Sequence, residues 1–152
     1  MAVHQYGRTL DRLEDIRMRS VARTEMTKGV WLWGPTGTGK SHRAANMEGT
    51  QYWWTNDNGW WDGYKQQDVV ILNDFRGNIA YGEMLQMVDK WPYAVRRRGR
   101  EPMPFTSKMV VVTSSLHPKD VYKNLSAEDK LAQLERRFDI IKCETWDEEN
   151  CT

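Results

Sequence analysis

From residue 29 onward the chain alternates short apolar runs with stretches whose apolar residues recur at helical spacing. That is the pattern of a parallel α/β sheet covered by helices. "GVWLWG" (29–34) predicts a strand with Val30 and Leu32 on one face and Trp31 and Trp33 on the other. Both faces are apolar, as a strand covered on both sides requires. Further strands are predicted at "TQYWW" (50–54), "DVVIL" (68–72), "KMVVVTSS" (108–115) and "DIIKCE" (139–144). Helices are predicted at "KSHRAANM" (40–47) and at "YGEMLQMVDKW" (81–91), where Met84, Leu85, Met87 and Val88 fall at helical spacing. Pro118 suits the first turn of another at "PKDVYKNL" (118–125). "SAED" (126–129) has the form of a capping box ahead of "KLAQLERRF" (130–138), whose inward stripe would be Leu131, Leu134 and Phe138.

Residues 1–28 differ. Leu10, Leu13, Ile16, Ser20 and Val21 lie near helical spacing among alternating charges, which predicts one helical segment ahead of a domain spanning 29–152. Periodicity admits two readings: a solvated helix packed on the domain, or a small oligomerisation element that contacts a neighbouring subunit.

The chain has 152 residues, 39% apolar and 28% charged, which suits one soluble globular domain. No apolar run is long enough to span a membrane, and the N-terminus lacks the apolar core of a secretory signal. Cys143 and Cys151 have no partners at metal-ligand spacing and are expected as reduced thiols. Net charge is +1, so total charge is uninformative about nucleic acid, but Arg96, Arg97, Arg98 and Arg100 stand close together. Eight tryptophans are many for this length, and most are expected in the core.

Gly34-Pro35-Thr36-Gly37-Thr38-Gly39-Lys40-Ser41 fits G-x-x-x-x-G-K-[ST] at every fixed position, between an apolar strand and a helix. Glycines let backbone amides turn inward and approach phosphate oxygens, and the following helix directs its positive end at the same anion. Lys40 adds a charge near the β- and γ-phosphates, and Ser41 offers a hydroxyl to Mg2+. The candidate ligand is therefore a nucleotide triphosphate such as ATP.

"DVVILNDF" (68–75) predicts Asn73 and Asp74 at the C-terminal end of a strand beside the phosphate loop, the edge where open α/β sheets bind ligands. One acid there normally holds the metal, and a second orients the attacking water. Asn73 can accept a hydrogen bond but carries no charge, so Asp74 is the main acid, as general base, metal anchor or both. Downstream, "AVRRRGREPMPF" (94–105) reads as a basic hairpin: Gly99 permits a turn and the prolines limit sheet pairing. Clustered guanidinium groups track a phosphate backbone through charge, largely without reading sequence.

With these segments in hand, the chain resembles the superfamily 3 helicase domain of replication-initiator (Rep) proteins from circular single-stranded DNA viruses, circoviruses in particular. "GPTGTGKS", "WWDGY" (60–64), "DVVILNDF", "PMPF" (102–105), "VVVTSS" (110–115) and "ERRF" (135–138) occur in the family's order over about 30–142. The resemblance implies an AAA+-like P-loop core that binds ATP and Mg2+. It also implies a ring, usually hexameric, that moves 3′ to 5′ along single-stranded DNA in the host cell nucleus. Lys40 and Ser41 align with the Walker A pair, and Asp74 aligns with the second Walker B acid. Asn73 replaces the first acid, and Ser115 stands where an Asn commonly senses the γ-phosphate. Arg136 or Arg137 matches the arginine finger that reaches a neighbour's nucleotide, and Arg98-Gly99 matches the Lys-Gly of the hairpin that grips DNA. Arg100 and Glu101 depart from that hairpin's second glycine. Family members carry a covalently linked nicking domain with paired histidines. His4, His42 and His117 form no such motif, so no nicking is expected of this segment.

Two other functions fit the same residues. One is a nucleotide-gated assembly and DNA-binding module without turnover. The other is an AAA+ loader acting on protein partners, for which the arginine cluster would have no DNA to hold.

Overall fold

A computed structural model describes residues 2–55, 58–125 and 130–144, with the side chains of 2–8 excluded. The capping-box expectation at 126–129, Trp146 and Cys151 lie outside the described residues. Five parallel strands form the central sheet: β1 (Lys28–Trp33), β2 (Gln51–Trp53), β3 (Val69–Leu72), β6 (Met109–Ser114) and β7 (Phe138–Lys142). Their order is β2-β3-β6-β1-β7. Helices α2 (Lys40–Ala45), α3 (Tyr81–Met87), α4 (Pro118–Val121) and α5 (Ala132–Arg137) connect them, as the α/β P-loop class requires. No described helix is long and apolar enough to cross a membrane.

The side-chain alternation holds. Trp31, Val70, Leu72, Val110 and Val112 enter one buried cluster, while Val30, Leu32, Val69, Ile71 and Val111 enter the other with Ala44 of α2. β1, β3 and β6 thus each supply two apolar layers, the reason these runs lack a polar face. Only part of the tryptophan complement is core. Trp31, Trp54 and Trp61 are buried, Trp33 and Trp60 half-buried, Trp53 and Trp91 exposed.

Several expectations need correcting. Phe138 begins β7 rather than ending α5, because it pairs with Gly29 in the parallel ladder. The helix at 81–91 stops at Met87, ahead of Pro92, which cannot continue it. β6 lies between β1 and β3, an order the sequence pattern left open. β1–β6 pairing sets Leu32 opposite Thr113, and β3–β6 pairing sets Leu72 opposite Val112, so Asn73 emerges next to Thr113. A polar residue from β6 therefore joins the end of β3 beside the phosphate loop.

The basic hairpin forms as expected, from β4 (Ala94–Arg97) and β5 (Arg100–Pro104), with Gly99 at φ 64° in its turn. Its arginines do not act alike. Strand alternation sends Arg97 inward with Val95, and Arg97 is only 5% exposed. Its Nη1 donates to Asp15 Oδ1 at 2.6 Å and its Nε to the Glu101 carbonyl at 2.8 Å. Arg97 thus belongs to an internal ion pair, which removes it from the DNA-binding set.

Asp15 lies on α1 (Ala2–Arg19) and also accepts from Arg19 Nε at 2.9 Å. The Arg97 hydrogen bond, helped by Arg19 and Arg100 and opposed by burial, holds the Asp15 carboxyl below its ordinary value of 3.8. A depressed folded-state value means the anchor is complete above that pH and weakens as pH falls below it. α1 docks through this polar side and Met18, leaving Leu10, Leu13 and Ile16 exposed. Of the two readings of this helix, docking on the domain accounts for its polar side and leaves its apolar stripe unused.

The connection from α1 to β1 is pinned by Arg23, a residue that the sequence pattern did not single out. Its guanidinium is buried and donates to the carbonyls of Trp91 (2.8 Å) and Met87 (2.6 Å) and to Thr27 Oγ1 (3.1 Å). Gln86 accepts a further bond, and the group lies 5.6 Å over the Phe105 ring. Arg23→Ala strands several carbonyls at the end of α3 at once. It should cost about 3 kcal/mol and lower the melting temperature by roughly 6–12 °C. A thermal melt within about 2 °C of the parent would remove Arg23 from that role.

Candidate functional site

The strand-to-loop turn at Gly34 is set by close approach. Gly34 has φ 146°, and a Cβ there would stand 2.0 Å from the Cys143 carbonyl oxygen, so no other residue fits. The Gly34 N–H donates to the Ser114 carbonyl (3.1 Å), and Cys143 N–H donates to the Trp33 carbonyl (2.7 Å). The start of the loop is thereby fastened to both neighbouring strands.

Lys40 is folded back onto the loop. Its Nζ donates to the carbonyls of Gly34 (2.8 Å) and Pro35 (2.7 Å) and approaches Thr38 Oγ1 at 3.3 Å. Thr38 Oγ1 in turn donates to the Pro35 carbonyl at 2.9 Å. The ammonium is held by neutral carbonyls, weaker partners than an anionic phosphate would be. Gly34 and Pro35 support the lysine from below rather than lining the cleft.

That cleft, about 480 Å³, is lined by the loop from Thr36 to Ser41 and, across from it, by Asn73, Asp74, Thr113 and Ser115. Ser41 Oγ donates to Asn73 Oδ1 at 2.7 Å, and Thr113 Oγ1 donates to the same oxygen at 2.8 Å. Asn73 therefore serves as a neutral hub between Ser41 and β6. Asp74 occupies a left-handed conformation, φ 52°, with its N–H donating to Thr113 Oγ1 at 2.8 Å and its carboxylate exposed. Ser115 faces the cleft, whereas Ser114 is buried and donates to the Phe75 carbonyl at 2.8 Å. Among the described residues no cluster of three metal-ligating His, Cys, Asp or Glu side chains occurs. The Ser41 hydroxyl and Asp74 carboxylate are hard oxygen donors. They fit a Mg2+ ion that keeps its waters and takes the rest of its shell from phosphates.

Three lining residues, His42, Arg76 and Thr113, were not among the predicted site residues. Thr113 organises both Asn73 and Asp74. The available signal was a polar residue near the C-terminal end of an otherwise apolar strand. Arg76 pairs with Asp74 across 3.7 Å and lines the same cleft. Both side chains are well exposed, so the pair contributes little to stability. Its signal was a cation two positions beyond the acid.

Arg136 and Arg137 lie outside this cleft. Arg137 is committed to its own domain, donating to the Gln133 carbonyl at 2.9 Å and pairing with Asp89 at 3.5 Å. Arg136 is exposed. A larger cleft, about 550 Å³, lies between α1 and the hairpin and is lined by Arg12, Asp15, Ile16 and Arg100 among others. It contains no phosphate-loop residue.

At the hairpin surface, Arg96, Arg98 and Arg100 are exposed. Arg98 Nε reaches Asp62 Oδ2 at 2.6 Å, and Arg100 reaches Asp15 at 3.2 Å. Backbone and side-chain hydrogen bonds from Arg98 hold the Asp62 carboxyl below its ordinary value.

A family model described as RNA helicase matches residues 30–116. The chain is similar to the replication-associated protein of canary circovirus, 39% identical over 118 residues, covering 78% of this chain and 40% of that protein. The same figures, over 119 residues, hold for the replication-associated protein of beak and feather disease virus. For that of porcine circovirus 1, identity is 33% over 111 residues, covering 72% of this chain and 35% of the relative. The chain therefore spans about 40% or less of the length of these curated relatives.

Proposed function

Since the chain belongs to the RNA helicase family, with circovirus replication-associated proteins among its relatives, we propose that it is an ATP-hydrolysing DNA motor domain of a viral replication initiator. One observation carries this reading: Lys40 and Ser41 from the start of α2, Asn73 and Asp74 from the end of β3, and Thr113 from β6 converge on one cleft. Lys40 leaves its carbonyl partners for the β- and γ-phosphates, exchanging neutral acceptors for charged ones. Asp74 is the general base for the attacking water, and Ser115 contacts the terminal phosphate. Ser41 and Asp74 would hold Mg2+, which when bound neutralises charge on the phosphates.

The remaining cation comes from a neighbouring subunit, and Arg136 is our choice for it because Arg137 is occupied by Asp89. The exposed stripe of Leu10, Leu13 and Ile16 favours burial of α1 against that neighbour, with 1–28 as the oligomerising segment and 29–152 as the motor. From the family resemblance we further propose a hexameric ring, 3′ to 5′ movement on single-stranded DNA during rolling-circle replication, a linked nicking domain, and action in the host nucleus.

Phosphate release measured with and without single-stranded DNA tests the motor: DNA-stimulated turnover is the expected result. Replacing Arg98 and Arg100 by alanine together should weaken single-stranded DNA binding and lower its salt slope by about two. Unchanged affinity would take DNA away from the hairpin. A second reading, binding without turnover, is favoured by the neutral Asn73 hub and by Arg76 beside the lone acid. A folded, nucleotide-binding sample with no phosphate release would establish it.

A further inference from the structure

Trp60 and Trp61 are adjacent, yet they have opposite fates. Trp61 is 4% exposed and sits among Tyr52, Tyr64 and Phe105, with ring centroids 5.5–6.0 Å away. Trp60 is only half-buried and stands apart from that cluster, with the Arg96 guanidinium 5.1 Å over its ring. The loop carrying it is built onto the hairpin residue by residue. Trp61 N–H donates to the Arg96 carbonyl at 2.7 Å. Asp62 accepts from the Arg98 N–H at 2.8 Å and from its Nε at 2.6 Å. Gly59 has φ 80°, a left-handed conformation that favours glycine and turns the loop beside Arg96.

An indole left at the surface forgoes the burial that its neighbour gains, and here it does so beside three exposed arginines. Surfaces that bind single strands without reading sequence combine these same two components: cations for the phosphates and an aromatic face for the bases. We propose that Trp60 is a base-stacking site, so that the strand's phosphates follow Arg96, Arg98 and Arg100 while an unpaired nucleobase packs on the indole. The inference rests on the DNA-binding reading and extends the contact surface from the hairpin to the 59–62 loop.

The test compares two single-stranded oligodeoxynucleotides of equal length, one with normal bases and one abasic along its length, by fluorescence anisotropy. Trp60→Ala should weaken binding of the base-bearing strand by about 5- to 100-fold, leave the abasic strand unchanged and preserve the salt slope. Trp60→Phe keeps a π-face and should retain most of the affinity, while both variants keep nucleotide binding as evidence of a folded domain. Equal loss on both strands would overturn the proposal and make Trp60 a prop for Arg96. No loss on either strand would overturn it too. If the parent protein binds neither strand, the DNA-binding reading itself fails along with it.

Discussion

Lys40→Ala should reduce ATP turnover by about 10²- to 10³-fold, the size of effect seen when one charge-stabilising donor is removed from a preorganised site. The ammonium is held within the loop by the Gly34 and Pro35 carbonyls, neutral acceptors that an anionic phosphate would outcompete. Lys40 is half-buried and bonds only to acceptors of its own loop, so folding should be nearly unaffected. Phosphate release and a thermal melt on the same preparation check both halves. Turnover within about threefold of the parent would show that the loop does not serve hydrolysis.

Asp74→Asn should be at least as severe, about 10²- to 10⁴-fold in turnover, with nucleotide binding retained. Asparagine tolerates the left-handed conformation that Asp74 adopts, and the backbone bond to Thr113 is unaltered, so the substitution isolates the charge. The reciprocal change, Asn73→Asp, keeps an oxygen that accepts from Ser41 and Thr113 and adds the missing carboxylate. It should raise turnover. Normal hydrolysis by Asp74→Asn would disprove the general-base role, and a slower Asn73→Asp would show that the missing carboxylate does not limit the rate.

Much of this site was legible beforehand because its determinants are local. The phosphate loop needs glycines at fixed spacing between a strand and a helix, and Gly34–Ser41 supplies them in consecutive residues. The basic hairpin announced itself through Gly99 and its prolines. Other features are set by residues far apart in sequence. Insertion of β6 between β1 and β3 brought Thr113 onto the Asn73 oxygen that also accepts from Ser41, although Thr113 is 40 residues and Ser41 32 residues from Asn73 in sequence. Arg97 looked like its neighbours in an arginine run, but alternation about Val95 and a carboxylate on α1 drew it inside. Arg137 was withdrawn in the same way by Asp89, leaving Arg136 at the surface.

The sequence alone determined the class of fold, the glycine-rich loop, the Asn73-Asp74 pair at a strand end and the presence of a basic turn, since each depends on residue type and spacing within short segments. Tertiary structure decided which arginines remain outside, which face of α1 is left bare, and that Trp60 stands at the surface while Trp61 is buried. Those outcomes depend on how strands are ordered and which distant side chains meet, and the energy of burying a charge or an indole is fixed only once its surroundings exist.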